Sequence, residues 1–452
     1  GRLMHSKKIE ISRVLVANRG AIARRVIRTC QAMGLQTVAV YSPADAAAPY
    51  LAEAGASFAL PGVTPQESYL NQAALLEIAD ISGADAVHPG YGFLAENSQF
   101  AAAVNERGLT FIGPQPKWLA QMGDKVAARA LFADQGFPIF PGSGLLTDMT
   151  KAVVQAKSIG YPIMVKPSGG GGGMGMEVVP DSRRLDLAIQ RAQAIAHSAF
   201  GESGVYLERA IMQPRHVEFQ ILGDGAGSAI HLYERECSVQ RRNQKLIEES
   251  PAPGIDKQLV ARHAELAAAV CANLSYDNIG TLETLFAPDG EVGFLEMNTR
   301  IQVEHAVTEM ITGVDLVQIQ IELACGGRLP AQPKRRGFAV EARLYAEDSD
   351  TLMPSTGRLH HFRPPELHGV RVETGYQQGQ VIGPYYDAML AKIIACGDTR
   401  EMAIGRLLVA LQAFEVSGVK TNAKLLMRIL QNEDFLGGRV DTAIVERLMR
   451  GI

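Results

Sequence analysis

The 452-residue sequence predicts a multidomain α/β protein, on three observations. Residues 12–112 alternate short apolar strands with amphipathic helical stretches, as in an open parallel sheet of Rossmann-like type. Residues 139–210 repeat the alternation around a run of five glycines, the pattern of a small mobile lid. Residues 211–452 begin with antiparallel-looking strands and end in helices, an α+β pattern. This length supplies ample material for two or three domains with buried cores.

In the first region the strands read RVLVA, QTVAVY, ADAVHP and LTFIG. A connecting helical stretch over 113–138 carries Met122-Gly123-Asp124-Lys125. The lid region holds YPIMVKPSGGGGGMGM (Tyr161 to Met176): an apolar strand, Lys166, then Gly169 to Gly173. Backbone without side chains can approach a polyphosphate and aim its N–H groups at the oxygens, while a lysine adds a point charge. No Gly-Lys-Ser/Thr follows the glycines, which excludes a Walker A loop. MGMEVV continues as a strand, which excludes the dinucleotide fingerprint.

The third region opens with HVEFQIL and SAIHLY and then carries its most informative segment. GTLETLF (Gly280 to Phe286) and EMNTRIQVEH (Glu296 to His305) flank Ala287-Pro288-Asp289-Gly290-Glu291, and Asp-Gly between apolar runs signals a hairpin. A two-residue turn at Asp289-Gly290 sets Glu283 opposite Glu296, with Asn298 further along the same face. Directly opposed Cβ atoms lie roughly 4.5–5.5 Å apart, where two carboxylates repel by about 3 kcal/mol at an effective dielectric near 20. A divalent cation would relieve that repulsion, and hard oxygen ligands suit magnesium or manganese. Pro288 equally allows a three-residue turn with Gly290 left-handed, which slips the register and separates the carboxylates. Two solvated strand-end glutamates are the plainer reading of the hairpin by itself.

Composition sets outer bounds. A net charge of −4 and a pI near 6.3 argue against a nucleic-acid partner. The five cysteines are dispersed and lack CxxC spacing, as in a reducing compartment, and no apolar run approaches the ~20 residues of a membrane span. The opening GRLMHSKK has no signal-peptide core and reads as the leftover of an expression tag, so a cytoplasmic location is expected.

Taken together, these blocks resemble biotin carboxylase, the ATP-grasp component of biotin-dependent carboxylases. The likeness runs from VLVANRGAIARRVIRTC (Val14 to Cys30) to the closing helix near Arg447. It includes HPGYGFLAEN (His88 to Asn97), MGDK, the glycine run, ERECSVQRRNQK (Glu234 to Lys245), EESPAPGI, EMNTRIQVEH, VEARLYAED and PYYDAMLAK. The fold implied is ATP-grasp: an N-terminal Rossmann-like domain (1–112), a connecting segment (113–138), a lid (139–210) and a C-terminal α+β domain (211–452).

The resemblance implies roles residue by residue. Lys125 and Lys166 would bind ATP phosphates beneath Gly170, Gly171, Gly172 and Gly173. Glu208 would meet the adenine amino group, with the chain at Arg209 and Ile211 along the ring. His216 and Gln240 would approach the ribose, and Asn243 would lie near the nucleotide. Glu283, Glu296 and Asn298 would hold magnesium or manganese. Lys245, Arg300, Gln302 and the Val303 backbone would bind bicarbonate, Glu304 beside Arg300 would be the general base, and Arg343 would stabilise the biotin enolate. His88 and His305 read as loop-orienting residues. Biotin is expected as a carrier-bound substrate, because the sequence has no Met-Lys-Met attachment site and its pattern ends in a helix. The implied partners are a biotin carboxyl carrier protein or domain, a carboxyltransferase component and a second copy of the chain.

The sequence departs from the usual pattern at five positions: Met174 for arginine, Asn243 for histidine, Ala306 for proline, Ala21 for glutamate and Arg209 for lysine. Asn243, an apolar residue at 174 and a non-proline after Glu304-His305 are familiar from the urea-carboxylase-like branch. An acyl-CoA-type carboxylase is the favoured setting. Urea-type and pyruvate-type enzymes, a non-catalytic nucleotide-binding scaffold and another ATP-grasp ligase are the alternatives.

Overall fold

In the computed structural model, residues 8–171, 173–201 and 204–451 are described. The role expected of Gly172 falls outside them. The N-terminal part is a five-stranded parallel sheet of Arg13–Val16, Gln36–Tyr41, Ala56–Ala59, Ala86–His88 and Thr110–Phe111. Their spatial order, third-second-first-fourth-fifth, winds outward in both directions from the first strand, as in a mononucleotide-binding half of a doubly wound fold. Helix Gly20–Ala32 follows the first strand and buries Ile22, Ala23, Val26, Ile27 and Cys30, spaced to share one face.

The connecting segment is two helices, Pro116–Gly123 and Lys125–Asp134. Asp124 ends one and caps the other, its side chain accepting from the Ala127 N–H. That break puts Lys125 on the first position of the second helix. The lid is a three-stranded antiparallel sheet, Glu177–Val179, Ile163–Pro167 and Val205–Arg209, with helices Met149–Ile159 and Leu185–Phe200. MGMEVV does continue into a strand. The lid has its own apolar core, built on Ala156, Ile163, Val165, Ala188, Ile189 and Leu207.

An eight-stranded antiparallel sheet forms the rest of the frame. In spatial order its strands are Val292–Asn298, Asp277–Phe286, Arg215–Asp224, Ala229–Arg241, Gln244–Ser250, Phe338–Tyr345, Met389–Gly397 and Val370–Glu373. Strand alternation divides it into a dry face and a charged one. Val217, Phe219, Ile221, Leu282 and Phe294 pack with helix Lys257–Asn273. The opposite face carries Glu218, Gln220 and Glu283, and helix His305–Thr312 packs near the strands of Lys245 and Arg343.

The carboxylate hairpin reaches the expected pairing by an unexpected route. Its turn is the three-residue alternative: the Gly290 N–H donates to Ala287 O at 3.0 Å, the Ala287 N–H to Glu291 O at 2.7 Å, and Gly290 has φ +92. Near the turn Thr284 therefore faces Phe294 and Leu285 faces Gly293. A β-bulge then adds Leu295 to the second strand and restores the pairing of Glu283 with Glu296. Asn298 stands opposite Thr281, two positions past Glu296. The two-residue turn is thus incorrect, while the facing of the two carboxylates holds. Among the described residues no helix is long and apolar enough to cross a membrane.

A Cβ added at Gly293, beside the bulge, would lie 2.4 Å from the Phe140 ring. Gly293→Ala should therefore destabilise the protein by about 1–3 kcal/mol. A lowered thermal midpoint with reduced turnover is expected, and an unchanged midpoint would show that the hairpin tolerates the methyl group.

Candidate active site

Strand register alone assembles the centre of the site. Glu296 faces Glu283, Glu283 faces Glu218, and Glu218 faces Arg235, a row of four charged side chains across four adjacent strands. Opposed residues share a face, so all four project to the same side. Arg235 is fully buried and donates to Glu218, Gln220, Thr281 and Thr308.

Lys245 reaches this row from the neighbouring hairpin. Its ammonium lies 2.7 Å from Glu304 Oε1, 3.0 Å from Glu218 Oε1 and 3.2 Å from Glu283 Oε1. Burial opposes its charge, but the Glu218, Glu304 and Glu283 carboxylates hold its pKa well above the ordinary lysine value. Burial would likewise raise Glu304. Lys245, a hydrogen bond with Glu218, and the charges of Arg343 and Arg235 outweigh that and hold Glu304 well below the usual carboxylate range. Glu218 goes the other way, pushed up by burial and then by the Glu304 charge. The two neighbouring carboxyls are thus shifted in opposite directions. The Cys237 thiol packs here too, 2.9 Å from Glu218 Oε1.

Two arginines flank Glu304, and one is not paired as expected. Arg343 NH2 donates to Glu304 Oε2 at 2.9 Å while its Nε donates to Glu248 at 2.5 Å. Arg300 makes no hydrogen bond to Glu304. Its Nε donates to Glu96 Oε1 at 2.8 Å and its NH1 to Gln302 Oε1 at 2.7 Å. The physical reason is competition: Lys245 and Arg343 already engage both Glu304 oxygens, and Glu96 from the N-terminal domain takes Arg300. The Val303 carbonyl accepts from Lys392 Nζ at 2.7 Å.

The opposed carboxylates are electrostatically unequal. Glu283 is pushed up by burial but brought well below the ordinary value by Lys245 and His216. Glu296, pushed up by burial and by Glu283, stays raised despite Lys125, whose ammonium lies 2.7 Å from Glu296 Oε2. A buried and a part-buried carboxylate in register, with an amide two residues on, form a hard-oxygen donor set that fits a divalent ion. His216 Nε2 is 3.6 Å from Glu283 Oε1 and has no hydrogen-bond partner among the described residues. His216 also faces Gln240, whose Nε2 is 3.5 Å from its Nδ1.

On the lid, Lys166 Nζ is 2.9 Å from Glu208 Oε2, and both are buried. Arg209 turns away, donating to Ile159 O at 2.8 Å. Ile211 follows the lid strand at its edge. Gly170 and Gly173 have left-handed backbone (φ +76 and +74), and Gly171 has open space around it. A Cβ on Gly173 would lie 2.6 Å from Asn243 Nδ2, so the glycine loop rests on the Asn243 side chain. Arg242 and Asn243 both have positive φ in the turn joining Ala229–Arg241 to Gln244–Ser250, a turn that asparagine tolerates. Met174 is more than half exposed. His88, held near pKa 4 by burial, accepts from the Gly90 N–H, and His305 Nδ1 lies 2.7 Å from Gln302 O; both brace loops.

Sequence reasoning missed Glu218, Arg235, Cys237, Glu96 and Glu248 as members of this cluster. The available signal was a lone carboxylate at core positions, as in HVEFQIL, or inside the matching blocks HPGYGFLAEN and EESPAPGI.

A glycine-loop lid over buried lysines, facing an acidic hairpin on an antiparallel sheet, defines an ATP-dependent ligase of ATP-grasp fold. The chain matches "Biotin carboxylase, N-terminal domain" over residues 10–119. It matches "Carbamoyl-phosphate synthase L chain, ATP binding domain" over 124–332 and "Biotin carboxylase C-terminal domain" over 341–447. It is 44% identical over 437 residues to a biotin carboxylase of Halalkalibacterium halodurans, covering 96% of this chain and 97% of that one. It is also 44% identical to the mitochondrial methylcrotonoyl-CoA carboxylase subunit alpha of Oryza sativa subsp. japonica, covering 97% of this chain and 60% of that one. Among solved structures, it matches the biotin carboxylase domain dimer of Hydrogenobacter thermophilus 2-oxoglutarate carboxylase, in complex with MgADP, ADP and bicarbonate. That match has a TM-score of 0.94 and 42% identity, covering 97% of this chain and 98% of that one. The chain belongs to the biotin carboxylase family, whose reaction is the ATP- and bicarbonate-dependent carboxylation of biotin.

Removing the Glu304 carboxylate should separate chemistry from stability. Glu304→Gln should lower turnover by about 10²–10⁴-fold. Its carboxyl lies below the ordinary 4.5 when folded. The parent's stability advantage over the variant should thus be complete above about pH 4.5 and shrink as pH falls through the lower folded value. Urea midpoints of both proteins across that range check this, and a gap that widens on acidification would contradict it.

Proposed function

We propose that this chain carboxylates biotin carried on a carrier protein or domain, with the residues of the Lys245 cluster doing the chemistry. The single observation that carries the reading is Glu304, kept ionised and bonded to both Lys245 and Arg343. Bicarbonate is a weak nucleophile with one proton to lose as its oxygen attacks the γ-phosphorus of ATP. Glu304 is the base for that proton. Arg300 and Gln302, bonded to one another, offer a planar donor edge to the anion together with Lys245 and the Val303 backbone.

Lys125 and Lys166 serve the phosphates, and Gly170, Gly171 and Gly173 let backbone approach them. Glu208 is the adenine partner, although its present ion pair with Lys166 must loosen for both to meet one nucleotide. His216, Gln240 and Asn243 line the nucleotide side. Glu283, Glu296 and Asn298 hold magnesium or manganese, which when bound offsets phosphate charge during transfer. The bicarbonate attack expels ADP and leaves carboxyphosphate, which splits into CO₂ and phosphate beside biotin. The phosphate takes the biotin N1 proton, and Arg343 stabilises the enolate that attacks CO₂.

Domain limits at 112, 138 and 210 follow the change from parallel sheet to helical connection to lid. A homodimer is supported by the dimeric Hydrogenobacter domain. The acceptor is chosen by a carboxyltransferase partner, and the rice relative supports an acyl-CoA one.

With MgATP and bicarbonate, ADP release should rise on adding free biotin. Absence of any release from folded protein would favour the scaffold reading. Glu283→Gln and Glu296→Gln should each weaken metal-dependent turnover about tenfold or more, since each removes one anionic ligand. Manganese titrations of the same variants supply a readout free of turnover, and parental affinity in both would remove the hairpin from the metal site.

A further inference from the structure

A second pair of opposed carboxyls lies behind the base. Glu248 faces Glu341 directly across Gln244–Ser250 and Phe338–Tyr345, and both are fully buried. Among the described residues, only Glu248 Oε1 of their four oxygens has a partner, Arg343 Nε. Glu248 Oε2 and both oxygens of Glu341 have none there. Buried polar atoms are normally satisfied, so three orphans in one pair call for an explanation.

The surrounding charges do not supply one. Arg343, on the same strand as Glu341, is shared between Glu248 and Glu304. Lys392, opposite Arg343 on the next strand, is committed to Val303 O and to Glu373, at 2.7 and 2.8 Å. From helix His305–Thr312, His305 is kept neutral by burial and the Lys392 charge, and Glu309 is engaged by Arg25 and Arg371. Ala306 and Ile311 of that helix close the face with Ala339 and Ile394. Only one guanidinium, already divided, is left for the two carboxyls.

We infer that Glu248 and Glu341 hold a single proton between them, and that this acid–carboxylate pair positions Arg343. Glu341 carries the proton and donates to Glu248 Oε2. Glu248 stays anionic and keeps its grip on Arg343 Nε, which leaves Arg343 NH2 directed at Glu304. Burial and then the Glu248 charge drive Glu341 well above the usual carboxylate range, which is the same direction. Were Glu341 ionised, a second anion would compete for the guanidinium and draw it off the base. Glu341 touches no reacting atom in this arrangement and is a positioning residue. Its effect on turnover rests on the proposed role of Arg343; the shared proton does not.

The test uses the full chain at neutral pH. Infrared spectroscopy should show a protonated-carboxyl C=O band in the parent that is absent from Glu341→Gln. Because the amide N–H still donates to Glu248, Glu341→Gln should keep biotin-stimulated ADP release within about threefold of the parent. Glu341→Leu, which has no donor, should lose about tenfold or more, as expected when a group held near its productive geometry is released. An unchanged band in Glu341→Gln overturns the shared proton. Equal impairment of both variants, or parental rates in both, overturns the positioning role. If the parent itself shows no biotin stimulation, the functional reading fails, while the infrared comparison still decides the proton.

Discussion

One ammonium organises this site. Lys245 has three N–H donors and spends them on three carboxylates brought from different parts of the chain. Glu218 and Glu283 come from adjacent strands, and Glu304 from the turn that starts helix His305–Thr312. A charge buried without partners is strongly unfavourable, and so are three carboxylates without a cation. Neither group is stable in this position without the other. The consequence is chemical as well as structural. The arrangement that makes burial tolerable also sets the carboxyls apart, holding Glu304 well below the ordinary carboxylate range while Glu218 is pushed up.

The layout of the fold was legible because it rests on local periodicity. Alternating strands and helices marked the parallel sheet, and the glycine run between two strands marked the lid. The hairpin shows where such reading ends. Asp289-Gly290 located the turn, but the turn type leaves the carboxylates one position out of step, and Leu295 corrects it. A bulge of this kind is fixed by tertiary ties. Here the Phe294 N–H donates to Pro138 O, and Gly293 packs against the Phe140 ring. Nothing within seven residues of the turn encodes those partners.

The same limit explains the members that were not foreseen. Glu218 and Arg235 enter the site through cross-strand register, a relation between segments that no single motif carries. Arg300 and Glu304 are four residues apart, and sequence proximity suggested that they act as a pair. In the structure each has a nearer counter-ion from a distant segment, Glu96 for Arg300 and Lys245 for Glu304. Residue types and their clustering could be read; which charge faces which could not.

The arginines share one design that the counter-ions impose. Arg300, Arg343 and Arg235 each anchor Nε on a carboxylate, Glu96, Glu248 and Glu218 respectively. With Nε fixed, the planar guanidinium can turn little, and its terminal nitrogens point where the anchor sends them. For Arg300 that is Gln302, for Arg343 it is Glu304, and for Arg235 it is the Gln220–Thr308 side of the row. A lysine could supply the charge at any of these positions but not the direction, because its ammonium has no second edge to anchor. Direction matters most at Arg343, where one guanidinium serves Glu248 and Glu304 together. Whatever fixes Glu248 therefore decides where the rest of that guanidinium points.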